Sequence, residues 1–404
     1  MDRKGSRSSR RRPLKKRPPP NRHQIEQEQV STSTLAKKLK SGENIDVIVN
    51  PSLGYTIINF IDVFSSLSNY VKCKTCGGDV KFGQSSIRGL GFKLVVECAS
   101  CDSKSINSCP CTDNHSYEIN RRLVFSFRML GIGGQGIKKF CGLMDLPKPG
   151  GQTTYDALVK NIHCAASSVC ENSMKSAAKE EINLTAEADN IEKPRGLTVS
   201  GYATRSKKGL FSLYGVASLI GYHSGKVLDV AVKSAYCNEC ESMKTKANTA
   251  EYEEWNRRHQ CDVNHEGSAD KMEVDAVREM FSRSQELHDV KYLNYVADGD
   301  CKIFKDIAES NPYDESVKKK ERIERVPSGK NESLDDLIWQ IAPKTNFSNA
   351  KINEIAAFVA TTIFNDGHRS LLDILRILNV SIGPRTHDMC VEEDVSRVSI
   401  GNVD

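Results

Sequence analysis

No apolar run among the 404 residues approaches the length needed to cross a bilayer, so neither a membrane-embedded chain nor a membrane partner is expected. The N-terminus is basic but lacks the apolar stretch of a secretory signal, which argues against export. A large charge of one sign is missing too. The balance of 57 Lys and Arg against 52 Asp and Glu leaves only +5, unevenly placed along the chain. The GIGGQG segment at 131–136 lacks both a preceding strand and the Lys-Ser/Thr pair of a phosphate-binding loop, which removes a nucleotide site there. With 38% hydrophobic and 27% charged residues, what is left is a soluble, rather polar protein long enough for two or three domains.

Cysteine, in contrast, is plentiful. Fourteen in a chain without export features point to metal rather than disulfides. Cys73-x-x-Cys76 and Cys98-x-x-Cys101 flank a Gly-rich, strand-like stretch. That is the pattern of a four-cysteine zinc ribbon, in which each tight knuckle offers two thiolates and the two knuckles together complete a tetrahedron. Such a site is closed and scaffolds rather than catalyses; Cys109 and Cys111 follow as substitutes or free thiols. Before the ribbon, residues 1–45 form a basic tail with almost no apolar side chains, expected to be disordered. Its clusters Arg10-Arg11-Arg12 and Lys15-Lys16-Arg17 read as a nuclear import signal. Residues 44–68 read as a strand, a turn at Pro51 and a short helix or strand, and 46–118 is taken as one ribbon-like region.

Residues 119–190 read as helical, ending in a long helix over 153–178. Arg121, Arg122, Arg128, Lys138 and Lys139 are compatible with phosphate contacts, although a basic run is equally a solvated helix face. Strands are expected at 197–200, 213–222 and 226–232, then an amphipathic helix over 267–287 and a strand at 292–297 tipped by Asp298-Gly299-Asp300. Three strands, a helix and a fourth strand with an acid at its end is the order of an RNase H-like α/β core, spanning 191–326. A second metal constellation interrupts it at 237–265. Cys237, Cys240, Cys261 and His265 make a site of three thiolates and one imidazole, with His259 competing for the fourth position. The intervening residues are too polar to fold as a self-standing unit, so zinc would supply the folding energy.

The segments VSG (199–201), KKGLFSLYGVASLIGYHSGKVLDVAVKSAYCNEC (207–240), Glu254-Trp255, CDVNHEGSADKMEVDA (261–276) and YVADGDCK (295–302) closely resemble the Mutator-like transposase domain of arthropod genomes. The resemblance runs from the first CxxC to the lysine cluster near Lys318, roughly two thirds of the chain. It implies a D-D-E carboxylate triad holding two Mg²⁺ or Mn²⁺ ions for DNA cutting and joining. This chain departs from that pattern. Tyr202 stands where the resemblance places the first acid, Asp298 keeps the second, and Arg322 and Arg325 replace the Cys and His of a signature near the third. Asp229 and Glu273, or Glu354 and Asp373, are the acids available as replacements. Residues 327–404 read as a C-terminal module with helices at 334–341, 349–364 and 368–378. The expectation is a transposon-derived, zinc-binding, DNA-contacting nuclear protein without catalysis. The alternative is a working D-D-E transposase or nuclease built on Asp298.

Overall fold

Two sheets organise the computed structural model, which describes residues 47–112, 116–208, 211–296, 302–321, 328–344 and 349–400. The first sheet is an antiparallel ribbon of β1 (Val80–Arg88), β2 (Gly91–Cys98) and β3 (Lys104–Asn107). Helix α1 (Phe60–Ser68) covers one face, where Phe60 meets Phe92 edge-on at 5.6 Å and Phe64 meets Phe82 at 5.3 Å. The β1–β2 turn needs a left-handed residue, and Gly89 supplies it at φ +62°. Asn120 pins that turn, accepting from Leu90 N at 2.9 Å and donating to Arg88 O at 2.9 Å.

Asn120 belongs to α2 (Glu118–Met129), which leads into α3 (Gly134–Leu143) and the 38-residue α4 (Gln152–Asp189). α4 outruns the sequence expectation by three turns, and the added part meets the second sheet: Ile182 packs on the cluster of Leu197 and Leu219, and Glu181 accepts from His223 N and Ser224 N at 2.9 and 2.7 Å.

The second sheet contains β4 (Leu197–Lys208), β5 (Phe211–Gly221), β6 (Val227–Ser234), β7 (Tyr292–Val296) and β8 (Lys318–Lys320), ordered β6-β5-β4-β7-β8. β4–β5 and β5–β6 are antiparallel, whereas β7 runs parallel to β4 and β8 parallel to β7. β4 is longer than the 197–200 expected. Residues beyond Ser200 stay paired with β5, Tyr202 opposite Ser218 and Arg205 opposite Gly215. β8 has no counterpart among the expected strands, since three consecutive lysines carry no apolar signal.

Helix α7 (Ala269–His288) covers one face with Val277, Met280 and Phe281, together with α8 (Lys302–Ser310). The other face packs against α4 and against α10 (Ala350–Asp366), through Val216, Ile220, Val230 and Val232. With both faces covered, β6 is buried at every position, apolar or not. α9 (Ser328–Ile341), α10 and α11 (Ser370–Ile377) share this core with α2–α4: Leu334, Ile355, Phe358 and Leu375 cluster with Val124, Ile137 and Ile162. A final helix, α12 (Pro384–Ile400), lies beyond the three expected in the C-terminal module and caps α10: Arg397 donates to the carbonyls of Ile363 and Phe364.

Among the described residues the outer edge of β6 has no neighbouring strand, and side chains satisfy its backbone. Asn365 on α10 bonds both Val227 N (2.8 Å) and Val227 O (2.9 Å). His288 donates to Leu228 O, Arg283 to Val230 O and Asn264 to Val232 O, at 2.9, 3.0 and 3.0 Å. An open edge would template pairing with another chain; here polar side chains close it.

Candidate metal centres

The ribbon's four cysteines converge. Cys73 and Cys76 sit on a loop closed by Cys73 N donating to Gly78 O (2.7 Å) and Gly77 N to Cys73 O (2.8 Å), with Gly77 at φ +72°. Cys98 ends β2, and Cys101 follows after a short loop. The four sulfurs lie within 4.8 Å of one another, with Cys73–Cys101 at 3.9 Å and Cys76–Cys98 at 3.4 Å. A tetrahedron with Zn–S bonds of about 2.3 Å has edges of about 3.8 Å, so the set fits a zinc ion. Cys109 and Cys111 are outside this group. The hydrogen bond from Cys76 and then that from Cys73 push the Cys101 thiol up to about 12, whereas backbone amides at Cys76 and Thr75 pull Cys73 down to about 6. Thiols this close cannot all ionise together, and a divalent cation is what would let them.

The second constellation assembles on the insertion between β6 and α7. Cys237 and Cys240 flank the first turn of the short helix α5 (Asn238–Met243), and α6 (Ala250–Arg258) returns the chain to Cys261. Cys237, Cys240, His259 and Cys261 all place a donor atom within 4.8 Å of the others. Cys240 Sγ is 3.5 Å from Cys261 Sγ and 3.2 Å from His259 Nε2, and Cys237 Sγ is 3.5 Å from the same nitrogen. Burial first, then its thiol neighbours, push Cys240 up to about 12. Asn264 clamps the exit of the insertion to the sheet, accepting from Ser234 N at 2.7 Å.

The fourth position therefore differs from the sequence expectation: His259 joins the three thiols and His265 does not. His265 is buried at the head of α7, its Nε2 3.1 Å from Ser268 O and its Nδ1 3.2 Å from Asp275 Oδ2. Sequence spacing could not separate two histidines six residues apart. The signal lay in Glu239 and Trp255, both of which touch His259.

Of the acids, Asp298 lies outside the described residues, as do Arg322 and Arg325. Tyr202 sits on β4 two residues past Ser200, the partner of Val296 at the end of β7. Three of the four replacement acids are held by bases. Asp229 is fully buried and doubly bonded to Arg283, Nε to Oδ2 at 2.8 Å and Nη2 to Oδ1 at 2.6 Å. Glu354 holds His163 Nε2 at 2.7 Å, and Asp373 pairs with Arg376 at 3.2 Å. Glu273 is raised by burial, against the charge of Arg205. One acid escapes the sequence reading: Asp335 on α9, whose Oδ1 is buried without a hydrogen-bond partner among the described residues. It lies one turn before Trp339, whose Nε1 donates to Thr204 Oγ1 at 2.9 Å, two positions along β4 from Tyr202. No periodicity singles out such a residue; only the helix's docking does.

The three arginines compatible with phosphate contacts turn inward instead. Arg121 donates to Leu378 O, Arg122 to Glu118 and Ser381 O, and Arg128 to Ile132 O. Among the described residues no helix is long and apolar enough to cross a membrane.

No curated protein and no solved structure matches the chain. The family model for Mutator-like transposases matches residues 54–355, a span that opens before the ribbon cysteines, takes in both metal groups and closes within α10. With about three quarters of its length under that one model, the chain belongs to the Mutator-like transposases.

Proposed function

We propose that this transposon-derived protein, of arthropod origin by its resemblance, is a zinc-scaffolded, DNA-contacting transposase domain that no longer joins DNA strands. The observation that carries the loss of catalysis is Tyr202. A two-metal centre needs carboxylate oxygens to hold hard dications against the attacking and leaving groups, and a neutral phenol is a poor ligand for them. Three of the four acids otherwise available as substitutes, Asp229, Glu354 and Asp373, are each engaged by a base.

The order β6-β5-β4-β7-β8, two antiparallel pairs followed by two parallel ones, supports reading the second sheet as an RNase H-like core. Zinc at Cys73, Cys76, Cys98 and Cys101, and at Cys237, Cys240, His259 and Cys261, is supported by the spacing of the donors. Both sites are closed, so the metal's part is to hold loops. DNA contact is supported by the exposed lysines of β8 and by the basic tail rather than by the arginines of α2. The tail's two clusters support a nuclear location.

The test is zinc content and Mg²⁺- or Mn²⁺-dependent DNA cleavage on one preparation, beside Tyr202→Asp and Asp298→Ala variants. About two zinc ions per chain and no cleavage are expected. Cleavage by the unaltered protein that Asp298→Ala abolishes would overturn the loss of catalysis, and DNA affinity insensitive to salt would overturn the phosphate contacts.

A further inference from the structure

We propose that Glu239 and Trp255 are positioning residues of the second centre: Glu239 selects the nitrogen with which His259 ligates, and Trp255 fixes the plane of its ring. The proposal rests on the zinc reading of that centre.

An imidazole can ligate through either nitrogen, and the free ring exchanges its proton between them. His259 has these roles divided. Nε2 points at the sulfurs of Cys240 and Cys237, 3.2 and 3.5 Å away. Nδ1 is 2.8 Å from Glu239 Oε2. A carboxylate accepts and does not donate, so this contact places the proton on Nδ1 and leaves the Nε2 lone pair for a metal. Trp255, one helical turn earlier on α6, stacks on the ring at 4.3 Å and 23°. Only 3% of the His259 side chain stays exposed, although Glu239 is 68% exposed.

The comparison with His265 shows what these two residues decide. That ring also has a carboxylate near Nδ1, Asp275, but its Nε2 lies 3.1 Å from the Ser268 carbonyl. A carbonyl only accepts, so Nε2 of His265 carries a proton and is closed to a metal. Two histidines are close enough in sequence to serve, and their neighbours determine which one does. An exposed Glu in an ordinary surface pair contributes little. Held against the far nitrogen of a metal ligand, it raises ligand basicity and removes the cost of choosing a tautomer.

The test uses the full chain carrying Cys73→Ser, which disables the ribbon centre so that zinc transfer to a chromophoric chelator reports the second centre alone. Glu239→Ala is expected to weaken retention by about 10- to 100-fold, while Glu239→Gln, which can still accept from Nδ1–H, recovers part of it. Trp255→Ala is expected to broaden the visible bands of the cobalt-substituted centre, and Trp255→Phe to restore them. Unchanged retention in Glu239→Ala, with zinc still bound, would sink the proposal and leave the zinc reading standing. If Cys237→Ser leaves the zinc count of the otherwise unaltered chain the same, the centre binds no zinc and both readings fail.

Discussion

Replacing Arg283 by Met should cost far more than an ordinary surface substitution, because it strands a carboxylate in the core. Asp229 is 0% exposed in the middle of β6. Its two oxygens receive two bonds from the guanidinium, plus one from Val230 N at 2.7 Å. Arg283 also bonds Val230 O and Glu279, so its removal frees an edge carbonyl of β6 as well. Breaking a buried pair from one side costs about 3–5 kcal/mol, since the remaining charge is neither solvated nor paired. With a urea slope of about 3 kcal/mol/M, the unfolding midpoint should fall by about 1–1.7 M. The double variant Asp229→Leu/Arg283→Met removes both charges and should recover most of that loss. Circular dichroism of the zinc-loaded chain in urea, over the four-member cycle, reads the coupling directly. A coupling energy near zero, with Arg283→Met costing under about 1 kcal/mol, would refute the reasoning. It would also release Asp229 from its structural role and restore it as an available acid.

Two further outcomes are expected. Asn264→Ala leaves Ser234 N and Val232 O without their side-chain partner, so the Ser234 amide should exchange with solvent faster and zinc should leave the second centre faster, with the ribbon unaffected. Equal loss from both centres would contradict the clamp. Cys164 is exposed beside His163, which Glu354 holds at 2.7 Å; the hydrogen bond from His163 lowers the thiol below its ordinary value. Alkylation follows the thiolate, so in zinc-loaded protein Cys164 should stay reactive at pH values where an ordinary thiol is protonated, and His163→Ala should shift its profile to higher pH. A profile that does not move would show that the imidazole is not the cause.

Sequence alone determined the first group of four cysteines. Paired CxxC knuckles around an alternating stretch leave few ways for four thiols to meet, and local turns at Gly77 and Gly89 do the rest. It also determined the types of the long elements, because β4–β6 and α7 carry strong apolar patterns that burial on a sheet requires. Tertiary structure decided the rest. β8 forms because β7 offers it an open parallel edge, which outweighs the poor strand propensity of three lysines. Asp229 became a buried ion-pair partner rather than a site acid because α7 brings Arg283 across 54 residues of sequence. The choice of His259 over His265 fell to Trp255 and Ser268, each within a turn of its histidine, and to Glu239, which a separate short helix brings to the ring. Pattern records which faces are apolar, while the pairing of a particular charge or nitrogen is set only when those faces meet.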